Sequence, residues 1–281
     1  MKRHIITSAI GILITLNASA QFSPGKLAVL QAGDGGFARG TSAPSDFANK
    51  QNPVFIDQFD PNVAAGTNGP SFQVAIPTIG TDSLWLNGNA GTEGNLTRSA
   101  DRSVLAFSGY SGNILSLSPG TAPSNLAYDR GICVIDAAGA NHLAYRGGAW
   151  YGISTGKTNP RGVATDGTNQ FWGCGNGYGS IYYDANTAAD PIQFQNITLT
   201  SAVKVRNNAL YSTVKGSESV NLYPPGIYSF VDFYNAPVPY PNAASYLHLV
   251  VPAAAPYTNC IGFDIDPSGT IAYVADSGLG I

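Results

Sequence analysis

The chain has 281 residues, with 17 acidic and 14 basic side chains and a formal net charge of −3. Charged residues make up only 11% and no basic run occurs, which excludes the electrostatic footprint of a nucleic-acid binder and of a protein held on an anionic membrane surface. Gly at 33 positions, Pro at 18 and Tyr at 15 argue against long helices and for many short strands joined by turns, because Gly and Pro punctuate while aromatic rings suit pleated surfaces.

The N-terminal MKRHIITSAIGILITLNASA reads as a secretory signal peptide over residues 1–20: Lys2 and Arg3 at the basic end, an apolar run from Ile5 to Leu16, and Ala18-x-Ala20 before the cut at Gln21. An apolar run of about a dozen residues falls short of the roughly 20 that span a bilayer, so no transmembrane segment is expected after cleavage; a retained anchor is the alternative. Removing Lys2 and Arg3 takes the net charge from −3 to −5.

After the signal, GKLAVLQAGDGG (25–36), PVFIDQF (53–59) and SFQVAIP (71–77) read as three successive strands. TDSLWLNGNAGTEG follows as a connection. TRSADRSVLAFSGY (97–110) is two strands around a turn at Asp101, continued by GICVID (131–136) and HLAYR, with SGNILSLSPGTAPSNLAY as a long loop between. GGAWYGISTGKTNPRG leads into RGVATDGTNQFWGCGNG (161–177), SIYYD (180–184) and PIQFQN. SAVKVRNNALYSTVKG (201–216), GIYSFVD (226–232) and SYLHLVV repeat the order, and VPAAAPYTN leads into IGFDIDPSGTIAYVADSG (261–278).

These segments share one layout: an apolar strand, a polar turn holding Asp or Asn, an apolar and aromatic second strand, then a third and a fourth. The turns at Asp101, Asp166, Asn207 and Asp266 are 65, 41 and 59 residues apart. A solenoid needs near-constant repeat length, whereas propeller blades share a strand core and differ in their loops. The predicted fold is all-β, a β-propeller of four-stranded antiparallel blades over residues 21–281. Five blade signatures are visible; the first lacks its inner strand and the last is cut off after VADSG. An incomplete ring belonging to a longer protein is therefore expected, and a complete irregular five-bladed ring is the alternative.

CIGFDIDPSGTIAYVADSG resembles the NHL-type and related bacterial surface propeller repeats. Over most of the mature chain, the order of GKLAVLQAGDG, PVFIDQFDP, EGNLTRSADRSVLAFSGY and TDGTNQFWGCGNG is similar to a group of secreted bacterial propeller-like proteins. The resemblance implies a blade architecture and a chain that runs on beyond the strand equivalent to IAYVADSGLGI. It implies no catalytic residues, because that group has no assigned activity. The NALYSTVKG turn, which lacks the Asp, departs from the pattern.

Little in the chain reads as catalysis. DIDPSG at 264–269 offers Asp264 and Asp266 as calcium ligands, but Pro267 and Gly269 make a tight turn the stronger reading. GCGNGYG lacks the strand-then-helix context and the Lys-Ser/Thr pair of a phosphate cradle. His142 and His248 fall in outer-strand patterns, and no GxSxG elbow occurs. Cys133, Cys174 and Cys260 sit in apolar runs and read as buried thiols, with one disulfide plus a free thiol as the alternative. No cofactor or metal motif is present.

The remaining chemistry lies in the connections at one mouth of the propeller, which carry Trp85, Glu93, Trp150, Tyr151, Arg161 and Tyr257. Exposed rings beside isolated charges suit a carbohydrate or protein ligand, since rings stack on apolar faces and polar groups fix orientation; packing between blades is the competing role for Trp85 and Trp150. The function expected is a binding or scaffold module, exported to the periplasm, cell surface or medium. A lactonase- or lyase-type propeller enzyme with an axial metal and a structural repeat region of a larger adhesin are the alternatives.

Overall fold

The computed structural model describes residues 22–33, 51–64, 69–88, 92–113, 128–151, 159–176, 179–187, 189–195, 199–207, 209–215, 224–230, 247–252 and 259–276, and every regular element among them is a strand. The first are β1 (Leu27–Ala32), β2 (Gln51–Asn52), β3 (Val54–Phe59) and β4 (Phe72–Ala75). β1, β3 and β4 make a three-stranded antiparallel sheet in that order, with Leu30 opposite Ile56 and Ile56 opposite Val74.

β5 (Leu84–Asn87), β6 (Thr97–Arg98), β7 (Val104–Ser111), β8 (Asp129–Asp136) and β9 (Asn141–Gly147) follow. They form the second sheet, ordered β2-β5-β7-β8-β9 with β6 also on β7. β5 pairs the end of β7, Leu84 opposite Ser111, while β6 pairs its start, Thr97 opposite Ala106. Two short strands thus share one edge of β7. The segment TDSLWLNGNAGTEG is therefore not simply a connection: Leu84, Trp85 and Leu86 have the bulk and β-propensity to pair and bury.

The third sheet is β10 (Pro160–Thr165), β11 (Gln170–Gly175), β12 (Ser180–Asp184) and β13 (Ile192–Gln195). The fourth is β14 (Val203–Arg206), β15 (Ala209–Val214), β16 (Gly226–Phe230) and β17 (Leu247–Pro252). Both are four-stranded and antiparallel, with strands in chain order. β18 (Cys260–Ile265) and β19 (Ala272–Asp276) make a two-stranded sheet.

Apolar clusters lie between consecutive sheets. Val54, Ile56 and Val74 of the first meet Leu84, Leu86, Phe107, Cys133 and Ile135 of the second. Ala106, Ile132 and Val134, on the other face of the second sheet, meet Val163, Phe171 and Ile181 of the third. Ala164, Trp172 and Cys174 meet Val203, Val205, Leu210 and Phe230 of the fourth. Ala202 and Ile227 meet Cys260, Phe263 and Ile265 of the last.

This packing accounts for the sequence pattern. Side chains alternate between faces of a strand, so Ala106 and Phe107, or Phe171 and Trp172, serve opposite interfaces. A sheet covered on both faces needs apolar residues at every position, hence unbroken runs such as GICVI. The three cysteines are free and buried in separate clusters, and burial pushes the Cys174 and Cys260 thiols up to about 12, so all three behave as small apolar groups.

The first strands of neighbouring sheets also touch directly. Asn95 N–H donates to Arg161 O at 3.0 Å and Ala100 N–H to Thr165 O at 3.0 Å, while Thr97 Oγ1 donates to Val163 O. Asn95 Nδ2 reaches past them to Ser201 O at 2.6 Å. A Cβ on Gly162 would lie 3.3 Å from Asn95 Cβ and 3.2 Å from Cys174 Sγ, so the absence of a side chain there permits the approach. No helix among the described residues is long and apolar enough to cross a membrane.

Candidate functional site

The residues singled out from sequence do not form an exposed aromatic surface. Trp85, Trp150 and Tyr151 are each fully buried. Trp85 lies opposite Tyr110 in the ladder and stacks on it at 4.6 Å. Trp150 and Tyr151 fill the core between the second and third sheets, and the Tyr151 hydroxyl donates to Gly179 O at 2.7 Å. The physical reason is spacing: apolar positions flanking each sheet are needed to close the intersheet gaps, and large rings fill them.

Arg161 is also buried and donates from Nη1 to Thr200 O at 3.1 Å and Ser201 Oγ at 3.3 Å, tying β10 to the approach to β14. Tyr257 lies outside the described residues. His142 on β9 and His248 on β17 are exposed.

Glu93 is the exception among the six. It sits just before β6, where its Oε1 accepts from Tyr110 Oη at 2.8 Å and its Oε2 from Asn87 N–H at 3.3 Å. The same hydroxyl lies 3.4 Å from Asn159 Oδ1, and Arg130 lies over the Tyr110 ring at 5.2 Å. Burial pushes the Glu93 carboxyl up to about 7, against the opposing pull of the Tyr110 and Asn87 hydrogen bonds and of the Arg130 and Arg161 charges. Trp85 and Glu93 are thus brought together, through Tyr110.

An open cavity lies at the other end of the sheets. The turns from first to second strand converge there: Ala100 and Arg102 from the second sheet, Val205 to Asn207 from the fourth, Asp264 to Pro267 from the last. The third sheet joins them, since a Cβ on Gly167 would collide with the Asp101 carboxylate. The cavity has a volume of about 630 Å³ and includes Arg102, Arg206, Asn207, Asp264, Asp266 and Tyr273 in its lining. Tyr273 is 62% exposed.

The Asp264, Arg206, Asn207 and Asp266 side chains there are held by partners. Asp264 Oδ1 lies 3.3 Å from both Lys204 Nζ and Arg206 Nη2; burial acts to raise its pKa, but these cations and the Ile265 N–H outweigh it and hold the carboxyl below the usual range. Arg102 has a left-handed φ of 67° and Asn207 one of 48°, each at the corner of a tight turn. Asn207 Nδ2 donates to Pro267 O at 3.4 Å, joining the turns of neighbouring sheets.

Asp266 serves its own turn. Its Oδ1 accepts from Thr270 N–H and Ile271 N–H, both at 2.8 Å, and its Oδ2 from Ser268 N–H at 3.2 Å and from Ser268 Oγ. The Ser268 hydroxyl leads these bonds in lowering its carboxyl to about 2. Asp166 works alike, accepting from Thr168 N–H at 2.8 Å and Gln170 N–H at 3.1 Å. Asp266→Ala is expected to speed amide exchange at Thr270 and Ile271 while leaving β11 unchanged, measured by hydrogen exchange; unchanged rates at both amides would show the carboxylate to be dispensable.

The sequence held a signal for this end that the choice of connections passed over. Aligning the repeats on Asp101, Asp166, Asn207 and Asp266 puts four homologous turns on one rim, so Arg102 and Asn207, beside or at the aligned positions, become neighbours there. Tyr273 carried no such mark, being one aromatic among many in second strands.

No protein-family model and no curated protein sequence matches the chain. Among solved structures, the crystal structure of TolB from Acinetobacter baumannii is similar to it with a TM-score of 0.39 at 10% identity, the match covering 86% of this chain and 53% of that one. The chain thus spans about half the length of that structure.

Proposed function

We propose that this chain has a β-propeller architecture, is exported, and binds a carbohydrate in the cavity lined by its turns. Support for the propeller comes from sheets that pack face to face in chain order, with the first strands of the second and third side by side. Support for export is the signal-like N-terminus. The observation that carries the binding role is the cavity itself, in which an exposed Tyr273 ring stands among the Arg206, Asn207, Asp264 and Asp266 side chains, already fixed by turns and ion pairs. Fixed groups lose little freedom on binding, so their contacts are not spent on ordering the site.

An axial-metal enzyme would need several carboxylates or imidazoles converging on the first strands. Two carboxylates are described near first-strand starts, Glu93 before β6 and Asp276 opposite Cys260 of β18, and they accept from Asn87 and Tyr110 and from the Asn259 N–H, while Asn95, Thr97, Arg161 and Ser201 bond to one another and to backbone. Binding without turnover is the reading these groups favour.

Titration of the full chain with a panel of soluble oligosaccharides by calorimetry tests the proposal. At least one is expected to bind, and Tyr273→Ala is expected to weaken it roughly two- to twelvefold, the loss of one ring contact of about 0.5–1.5 kcal/mol. An identical affinity in the variant would remove the cavity from consideration.

A further inference from the structure

Hydrogen-bonding capacity within the cavity is spent unevenly. The carboxylates are committed to different degrees: both oxygens of Asp266 receive donors from its own turn, while Asp264 is paired at Oδ1 with Lys204 and Arg206 and accepts there from the Ile265 N–H. The Asp101 carboxylate, in the adjoining turn, accepts from Ser103 N–H at 3.0 Å and from the Ser99 and Ser103 hydroxyls at 2.7 Å. Asp266 thus has little left to offer an incoming hydroxyl or ammonium, and the two cations beside Asp264 offset its negative charge.

The donors are in a different state. A guanidinium carries five N–H groups in a planar fork. Arg206 contacts Asp264 through Nη2, and Arg102 has no ion-pair partner among the described residues, its backbone carbonyl instead accepting from the Arg98 side chain. The left-handed backbone at Arg102 sets its side chain at the corner of the turn that borders the cavity. Cationic forks of this kind match a carboxylate, which accepts two parallel N–H bonds. Across the same cavity, the exposed Tyr273 ring offers a flat face to the C–H side of a pyranose.

We infer that the cavity selects an acidic saccharide, a uronate whose ring lies on Tyr273 and whose carboxylate is received by Arg102 with help from Arg206. This rests on the reading of the cavity as a carbohydrate site and adds the charge of the ligand to it. No covalent step is involved.

The test compares tetragalacturonate and tetramannuronate with their methyl esters, which keep the shape and remove the charge, by calorimetry on the full chain. At least one free acid is expected to bind more than tenfold more tightly than its ester, with affinity falling as salt is added. Arg102→Asn is expected to erase that difference, and Asn keeps the left-handed turn. Equal affinities for acid and ester, no binding of either acid, or an unaffected Arg102→Asn would each overturn the inference. A neutral glycan that binds more tightly than either acid and is lost in Tyr273→Ala would do so while leaving the carbohydrate site standing; indifference of every glycan to Tyr273→Ala would remove the site itself.

Discussion

Between about pH 4.5 and 7 the protein is expected to lose on the order of 3 kcal/mol of stability from Glu93 alone, and Glu93→Gln is expected to flatten that loss. In the unfolded chain Glu93 gives up its proton near 4.5, whereas in the folded protein burial holds the proton until about 7. Over that interval the folded state binds more protons, so its stability falls as pH rises. The contribution is complete below the lower value, lost through the higher one, and constant beyond it. Gln preserves the neutral shape and can still accept from the Tyr110 hydroxyl, so it should match the protonated wild type.

Urea unfolding of both proteins at pH 5, 6, 7 and 8 reads this directly. Parallel stability curves for wild type and variant would show that Glu93 titrates in the ordinary carboxylate range. The depressed carboxyls do not confuse the window: Asp60, Asp266, Asp101 and Asp264 all lie below their usual values, so their contributions are lost only at still lower pH.

Trp150→Ala is expected to cost about 3–5 kcal/mol, the range for removing a large buried aromatic ring. Trp150 is fully buried and meets the Tyr151 ring edge-on at 5.6 Å. Beneath it Gly173 has no side chain, and a Cβ added there would lie 2.5 Å from Trp150 Cζ2 and 2.9 Å from Tyr151 Cε2. The ring and the glycine are one packing unit. Gly173→Ala is therefore expected to be destabilising in the wild type and much less so in Trp150→Ala, a non-additivity measurable by a double-mutant cycle in urea. Additive losses would show that the ring does not rest on Gly173.

Strands and turns were the most legible part of the chain. The strand pairs around Asp101, Asp166, Asn207 and Asp266 are each present, and GICVID, SIYYD and the GIYSF part of GIYSFVD are third strands in their sheets. Local physics explains this: Asp and Gly at a tight turn act through their own backbone, and a run of β-branched and aromatic residues has few other conformations to adopt. β5 escaped because its neighbours are Gly, Asn and Thr, which read as loop, while its pairing partner is the far end of β7.

The roles of the large side chains were not legible. Trp85, Trp150 and Tyr151 look alike in sequence to any exposed binding aromatic, and only the faces of neighbouring sheets decide that they are buried. Tyr273 differs because it points away from Ala272 and Val274, which pack inward against the fourth sheet, toward a side where nothing among the described residues covers more than part of its ring. By itself, then, the amino-acid order determined what depends on near neighbours along the chain: an all-strand composition, the tight Asp turns, and the antiparallel order of strands in the third and fourth sheets. Tertiary structure alone decided what depends on distant segments meeting, namely which rings are buried, how far Glu93 is shielded from water, and that Arg102, Arg206 and Tyr273 surround a single cavity.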